Sequence, residues 1–360
     1  MKKAISFLLC LLLGMAAGFI AAPSVGRPSV FKLAVFGAAL VFSIYVHLIL
    51  HEGGHLLAGL ASGYRFVSFR VGSFTFIRDD KGLAVRRFKV AGTGGQCLMA
   101  PPRDVPLEQL PTRLYNAGGV LANALVGVSA LLVFLAMGRQ HYIVVETTLA
   151  LAMVGIVMAL LNGIPMKPGG VSNDGRNLLT LGRSAKATRE FGLLLLVNEA
   201  TQNGTRPTEM PAEWFDGEVD DYADAMQVNM DLMRASRDID GGRLHQARTR
   251  LEGMVAHDGE VLGLLLMEAK CELVFVALAQ GDRERAEALL DKPLRAYIDA
   301  HAAVMSSKKR VQCAMALLLD GDRARAEALL HEVERRRDGY LMQGEVASDI
   351  HLMRQLLSTP

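Results

Sequence analysis

The chain has 360 residues and a mean hydropathy of +0.25, and four of its stretches run for about 18 or more residues with almost no charge. A helix of that length can cross a bilayer, which excludes an ordinary soluble enzyme and a disordered chain. The net charge of +2 conceals an asymmetry, because residues 1–197 carry 19 basic and 8 acidic residues whereas residues 198–360 carry 20 and 29. Two regions are therefore predicted, and the acidic one argues against nucleic-acid binding.

The first predicted span, Ala4–Ala22, follows two lysines and is also compatible with a signal peptide. Its apolar run is longer than that of most signal peptides, which favours a retained anchor. The other predicted spans are Leu33–Ser62, Tyr115–Met137 and Tyr142–Pro165. The loop 63–113 holds nine Lys and Arg residues, and more follow the last span. The positive-inside rule therefore places the N-terminus, this loop and the C-terminal region in the cytoplasm.

The loop 63–113 contains a predicted β-hairpin, with strands at Phe74–Arg78 and Leu83–Val90 joined by a turn at Asp79–Gly82. Because open strand edges are excluded from lipid, we expect the hairpin at the membrane face or against the spans. A segment rich in glycine and proline follows around Cys97, and its composition predicts an irregular re-entrant or gating loop.

Residues 198–360 are predicted to be helical and contain an internal repeat. The ten residues from Gly281 recur from Gly321 with nine identities, and a weaker copy begins at Gly242. The pattern resembles tetratricopeptide repeats with a longer period, and a plain helical bundle is the alternative. A repeat domain would offer a concave surface to a protein partner. The apolar segment Phe191–Val197 predicts a helix that ties this region to the membrane part.

The segment His51-Glu52-Gly53-Gly54-His55 fits the pattern H-E-x-x-H inside the second predicted span. Positions i and i+4 share one face of a helix, so both imidazoles can reach one metal ion. The glutamate between them can then accept a proton from water. Ionisable residues inside a span are costly and usually functional. The alternative is two interior histidines that only bond to their neighbours.

A catalytic zinc takes three protein ligands and keeps a fourth position open. Asp174 follows the last span and lies on the predicted cytoplasmic side, which makes it a candidate for the third ligand. The alternative is that Asp174 only caps a helix that begins at Asn177. His47 lies one turn before His51, and a fourth ligand would close the site. We therefore predict that His47 is a hydrogen-bonded interior histidine; a place behind the ligands or on an access path are alternatives.

Together these motifs resemble the site-2 proteases, a family of intramembrane zinc metalloproteases. The family combines H-E-x-x-H in one transmembrane helix with N-x-x-P … D-G in a later one. Residues 30–183 hold both, as His51-Glu52-x-x-His55, Asn162-x-x-Pro165 and Asp174-Gly175. A further segment resembles the family's G-P-x-x-N, in which Gly119 and Asn123 match and Val120 replaces the proline.

The resemblance implies a zinc ion with His51, His55 and Asp174 as its ligands. It also implies Glu52 as the catalytic base. Asn123 would sit near the substrate strand or the developing oxyanion. The family acts on membrane proteins, so the resemblance implies an endopeptidase that cleaves within or next to transmembrane segments of membrane-bound substrates.

The sequence thus predicts a mostly α protein: a multi-span membrane helix bundle with a small β-hairpin, followed by a soluble all-α helical-repeat domain. The predicted domains are an N-terminal anchor at 1–29, an intramembrane metalloprotease core at 30–183 and a cytoplasmic tetratricopeptide-like domain at 184–360. We expect a multi-pass protein of the cell membrane whose partners are the lipid bilayer, a membrane-bound substrate and a protein at the helical domain.

Three other functions are compatible with the same residues. The first is a membrane-anchored zinc protease that cleaves soluble cytoplasmic peptides. The second is a non-catalytic zinc-binding scaffold that recruits partners through its repeats, although an intact Glu52 argues against it. The third is a transporter with an intramembrane metal path, which is weakened by the lack of duplicated halves.

Overall fold

The structure, a computed structural model, describes residues 30–79, 82–88, 94–137 and 141–358, together with residue 14. In this part of the chain it is mostly helical, with 13 α-helices and one small antiparallel sheet. The predicted fold class is confirmed at this level. The first predicted span, Ala4–Ala22, lies outside the described residues apart from residue 14.

Three helices are long and apolar enough to cross a membrane, and they correspond to three of the predicted spans. They are α1 (Val30–Ala61), α2 (Thr112–Ala136) and α3 (Tyr142–Gly163), and each packs against the other two. Their outer surfaces expose large apolar side chains such as Phe42 and Leu125, which suits contact with lipid.

Glycines allow α1 and α2 to approach each other closely where they cross. A Cβ atom on Gly54 of α1 would lie 2.2 Å from the carbonyl oxygen of Gly118 in α2. Small residues at such crossings let helix backbones come into contact in membranes. This contact lies one residue before His55, so it also fixes the distance between α2 and the histidines of α1.

The sheet between α1 and α2 has four antiparallel strands in the order β3-β2-β1-β4. The strands are β1 (Arg65–Val71), β2 (Phe74–Asp79), β3 (Gly82–Arg87) and β4 (Gly95–Ala100). The predicted hairpin is present as β2 and β3, although β3 ends at Arg87, and residue 90 lies outside the described part. The sheet packs against α1 through β1 and β4, which places the hairpin sheet against a span as expected.

The prediction of an irregular loop around Cys97 is wrong. Cys97 lies in β4 and is paired with Phe69 of β1, and Cys97–Ala100 are all buried. The glycines and prolines that suggested a loop lie at or beyond the two ends of this strand. Burial also raises the pKa of the Cys97 thiol to about 12, so the thiol stays protonated near neutral pH.

The remaining helices follow the spans. They are α4 (Asp174–Thr180), α5 (Ala185–Gln202), α6 (Ala225–Asp240), α7 (Leu244–Ala256), α8 (Gly263–Ala279), α9 (Arg283–Leu289), α10 (Lys292–His301), α11 (Ser306–Leu318), α12 (Arg323–Arg335) and α13 (Gln343–Ser358). Helices α6–α13 enclose apolar cores of their own.

Helix α5 connects the two regions, as the apolar segment in its middle predicted. On one side Leu195 belongs to the core around the sheet, and Arg65 of β1 forms a bidentate ion pair with Glu199 at 2.9 and 3.0 Å. The Ser68 hydroxyl also donates to Oε1 of Gln202 at 2.8 Å. On its other side α5 contacts α6 and α13.

The repeated sequence segments adopt the same local structure. Gly242, Gly281 and Gly321 all have positive φ, at +71°, +79° and +67°, and a helix begins two residues after each. A side chain at these positions would be strained, which explains the glycine in every copy. In the two closest copies, the aspartate after the glycine caps the helix, because Asp282 and Asp322 each accept the backbone N–H three residues later.

Candidate metal centre

Three side-chain atoms from two helices converge beside the α1–α2 crossing. They are Nε2 of His51, Nε2 of His55 and Oδ2 of Asp174. The two nitrogens are 3.2 Å apart, and Oδ2 lies 3.2 Å from His51 and 3.3 Å from His55. The sequence places Asp174 119 residues after His55, and the fold brings them together.

This triangle has the dimensions of one face of a tetrahedral zinc site. Ligand atoms that bind zinc at about 2.0–2.1 Å stand about 3.3 Å apart in tetrahedral geometry. Oδ2 of Asp174 is buried and makes no hydrogen bond of normal geometry. A buried acceptor facing two imidazole nitrogens is costly unless a proton or a metal ion joins them. Two nitrogens and a carboxylate oxygen also suit a divalent metal such as zinc.

The carboxyl group of Asp174 is ionised in this environment. Burial raises the pKa of this carboxyl, but without a metal the hydrogen bonds and positive charge of protonated His51 and His55 outweigh burial and bring the pKa to about 2. A carboxylate at this position supplies negative charge for a cation. Metal binding requires this deprotonated form.

The second nitrogen of His55 has a fixed partner. Its Nδ1 lies 2.8 Å from the backbone carbonyl oxygen of Tyr115 in α2. A carbonyl only accepts, so Nδ1 carries the proton and Nε2 keeps its lone pair for a metal. The carbonyl therefore sets both the tautomer and the ring orientation of this ligand.

Asn173, rather than Asp174, caps helix α4. The backbone N–H of Arg176 donates to Oδ1 of Asn173 at 3.0 Å, and the helix begins at Asp174 instead of Asn177. The amide nitrogen of Asn173 donates to the carbonyls of Leu161 and Ile164 at the end of α3, at 2.8 and 2.7 Å. The cap leaves the Asp174 carboxylate free to face the histidines.

Sequence reasoning missed Asn173, although an asparagine directly before a helix is a usual cap signal.

Gly175, the residue after the candidate ligand Asp174, allows a close contact between two helices because it has no side chain. A Cβ atom on Gly175 would lie 2.0 Å from the carbonyl oxygen of Gly163. The start of α4 therefore packs directly on the end of α3, and this contact sets how far Asp174 reaches.

Glu52 lies between the ligands and strand β4. Its carboxylate interacts electrostatically with the backbone N–H of Cys97 in β4, with both histidines and with Asp174. A Cβ atom on Gly95 would lie 2.9 Å from Oε1 of Glu52, so a larger residue there would displace the Glu52 side chain. The structure thus brings together all four residues that the motif predicted.

Gly119 of α2 faces the histidines. A Cβ atom there would lie 2.6 Å from Nδ1 of His51 and 2.6 Å from Nε2 of His55. Any larger residue would displace the ligands. The sequence signal for this close contact is the match of Gly119 to the first glycine of the G-P-x-x-N pattern.

His47 and Asn123 are both fully buried next to the ligands. Nδ1 of His47 lies 3.0 Å from the side-chain amide of Asn123, and its Nε2 lies 2.9 Å from the carbonyl oxygen of Leu151 in α3. The same amide lies 3.2 Å from Nδ1 of His51. His47 is therefore a hydrogen-bonded interior histidine, as predicted.

Comparison with known proteins adds no assignment. The chain matches no protein-family model, no curated protein and no solved structure. The chemistry of this centre therefore has to be argued from its own residues.

Proposed function

We propose that the chain is an intramembrane zinc metalloendopeptidase that hydrolyses peptide bonds in or next to the transmembrane segments of membrane-bound substrates. The observation that supports this most is the ligand triangle of His51, His55 and Asp174 with Glu52 beside it. Two histidines and a carboxylate leave a fourth zinc position open, as a hydrolytic site requires.

When bound, zinc supplies a Lewis acid that polarises a carbonyl oxygen and lowers the pKa of water. The proton transfers are carried out by the chain's own residues. Glu52 accepts the proton of the attacking water as the new C–O bond forms at the scissile carbonyl. It then delivers that proton to the amide nitrogen as the C–N bond breaks. The backbone N–H of Cys97 interacts with the Glu52 carboxylate and favours its ionised form.

The depth of the centre favours a membrane-embedded substrate. His51 and His55 lie ten and six residues before the end of α1 at Ala61, which is about 15 and 9 Å along the helix. A peptide bond has to reach that level of the span to be cut. Since a helix hides its backbone, the substrate has to be locally unwound there.

The C-terminal helices are proposed to be a cytoplasmic tetratricopeptide-like domain that binds a protein partner. The shared glycine turns at Gly242, Gly281 and Gly321 support a repeat. The basic loop between α1 and α2 supports a cytoplasmic position for this region and for the active-site side of the membrane.

The test compares wild-type protein with Glu52→Gln in proteoliposomes on two probes. One probe is a single transmembrane helix with a fluorescent protein at each end; the other is fluorescein-labelled casein. We expect cleavage of the membrane probe, a loss of about 10²–10⁴-fold in Glu52→Gln, and unchanged zinc content in that variant. Glu108→Gln, an exposed change outside the centre, is the matched control.

Other results would overturn parts of the proposal. Cleavage of casein alone would favour a membrane-anchored protease of soluble peptides. Zinc binding without cleavage of either probe would favour the scaffold. Cleavage retained in Glu52→Gln would remove Glu52 as the base.

A further inference from the structure

A continuous row of hydrogen-bonding groups leads from α3 to the ligand His51. It runs from the carbonyl oxygen of Leu151 through the ring of His47 and the amide of Asn123 to Nδ1 of His51. The three distances are 2.9, 3.0 and 3.2 Å, and His47 and Asn123 are 0% exposed. The row thus ends on the ring nitrogen of His51 that faces away from Asp174.

The donors and acceptors in this row determine one another. A carbonyl oxygen only accepts, so Nε2 of His47 must carry a proton toward Leu151. A neutral His47 then has a lone pair at Nδ1, which requires the NH₂ group of Asn123 as donor. The oxygen of Asn123 is left for His51, whose Nδ1 must therefore donate. Nε2 of His51 keeps its lone pair and faces the ligand triangle.

The structure carries the opposite orientation, with Oδ1 of Asn123 3.0 Å from Nδ1 of His47 and Nδ2 of Asn123 3.2 Å from Nδ1 of His51, and this orientation fails on the same grounds. It presents the amide oxygen to His47, which then needs protons on both ring nitrogens. That places a buried positive charge next to the metal ligands, which is costly. It also presents the NH₂ group to His51 and forces the proton onto Nε2, where a metal has to bind. A 180° rotation of the amide removes both conflicts without moving any other atom.

We propose that Asn123 and His47 are positioning residues that fix the metal-binding tautomer and orientation of His51. This rests on the proposed metal centre and assigns Asn123 a different role from contact with the substrate or oxyanion. Each ligand histidine then has a fixed acceptor behind it: the Tyr115 carbonyl behind His55 and, once the amide is rotated by 180°, the Asn123 oxygen behind His51. Such partners usually change metal affinity by about 10–100-fold when removed.

The burial of Asn123 supports this assignment. Its amide is completely enclosed, and both ends already have partners at hydrogen-bond distance. A group that stabilises an oxyanion must offer a donor to the reacting carbonyl. In the orientation required by His47, the only NH₂ group of Asn123 is directed at that histidine.

The experiment measures zinc affinity by chelator competition in detergent-purified full-length protein, together with the visible spectrum of the Co²⁺-substituted form. The variants are Asn123→Leu, which removes the acceptor, and Asn123→Asp, which keeps an acceptor for the proton of His51 but cannot donate. Asn116→Leu is the matched control, since Asn116 is buried in the same helix and its side-chain amide donates to the Thr112 carbonyl in its own turn.

We expect Asn123→Leu to weaken zinc binding by about 10–100-fold and to alter the Co²⁺ spectrum. Asn123→Asp should restore affinity to within a few-fold of wild type, and Asn116→Leu should leave both measurements unchanged. His47→Leu should weaken zinc binding less than Asn123→Leu, because it acts one residue further away. Thermal unfolding of each variant shows whether it is folded.

A role for Asn123 in stabilising the oxyanion predicts different results for the same variants. If Asn123 donates to the oxyanion, Asn123→Asp would abolish cleavage while all Asn123 variants bind zinc as wild type does, and the proposal would be overturned. A loss in Asn123→Leu that Asn123→Asp does not restore would also overturn it. Absence of metal binding in the wild-type protein would instead contradict the metal centre itself.

Discussion

The membrane helices and the C-terminal helices both bury ionisable side chains, but the partners of these side chains differ. At the candidate metal centre, the two histidines and Asp174 direct their free atoms at one point, and Oδ2 of Asp174 makes no regular hydrogen bond within the described residues. In the C-terminal helices, the buried base Arg310 donates to Asp349 at 2.7 Å and to Glu272 at 2.5 Å. Lys308, fully buried, reaches Glu268 at 2.6 Å.

The difference separates a binding site from a structural element. A buried charge that already faces an opposite charge contributes to a rigid core and needs no ligand. Buried acceptors that face one another need a cation to hold them together. Burial of ionisable groups alone points to both regions, whereas in the described part of the chain only His51, His55 and Asp174 bring three metal-ligating atoms together.

The largest expected effect is on zinc binding at the candidate metal centre. Asp174→Ala removes the only ligand supplied by α4, and two histidines on one helix cannot complete a three-ligand site. Zinc content measured by atomic absorption should fall from about one ion per chain to nearly none. Asp322→Ala, which removes a helix cap in α12, should keep its zinc. Zinc retained in Asp174→Ala would exclude Asp174 from the ligand set.

The second effect concerns the stability of the C-terminal helices, where buried charges are paired. Arg310→Met leaves Glu272 and Asp349 buried without their base, which should cost about 3–5 kcal/mol of unfolding free energy. Urea unfolding can be followed by the fluorescence of the only tryptophan, Trp214, which packs beside the C-terminal helices. Arg354→Met, which breaks an exposed ion pair with Glu334, should cost less than about 1 kcal/mol. Equal costs would mean that the buried cluster is not special.

The third effect concerns the helix crossing that supports the metal centre. Gly54→Ala forces a Cβ into the Gly118 backbone at 2.2 Å, which should destabilise the protein by about 1–3 kcal/mol and weaken zinc binding. Gly53→Ala is a matched control, because a Cβ there meets no atom within 4 Å. Thermal unfolding should leave that variant unchanged or slightly more stable. Equal melting temperatures for both variants would contradict the close crossing.

The fourth effect is a pH dependence of the C-terminal helices. Burial, followed by the adjacent Asp349, raises the pKa of Glu345 to about 8 from its ordinary 4.5. The folded state therefore binds more protons than the unfolded state between these two values, and stability is lost as pH rises through this window. Urea midpoints measured from pH 5 to 8.5 should decline in the wild type and decline less in Glu345→Gln. Parallel profiles would show that Glu345 titrates normally.

The sequence alone predicted much of the site because its signals are local. The spacing of His51 and His55 on one helix follows from helix geometry and needs no knowledge of the fold. The three described spans follow from apolar runs, and the β2–β3 hairpin from alternation around a turn. The repeated glycines of the C-terminal region likewise mark turns that need only backbone conformation.

Strand β4 could not be predicted in this way. Its hydrogen bonds go to β1, about 30 residues earlier in the chain, and its glycines and flanking prolines resemble a loop when taken alone. A strand is defined by its partner, so propensity was overridden by pairing. The position of Glu52 against Gly95 depends on the same long-range contact.

The residue types and spacings thus determined the membrane helices and the candidate chemistry of His51, Glu52 and His55. Only the tertiary structure decided that Asp174 faces those histidines while Asn173 caps the helix, and that Asn123 lies between His47 and His51. The physical reason is that a ligand set and its hydrogen bonds depend on the direction of each side chain. That direction is fixed by packing between helices far apart in sequence.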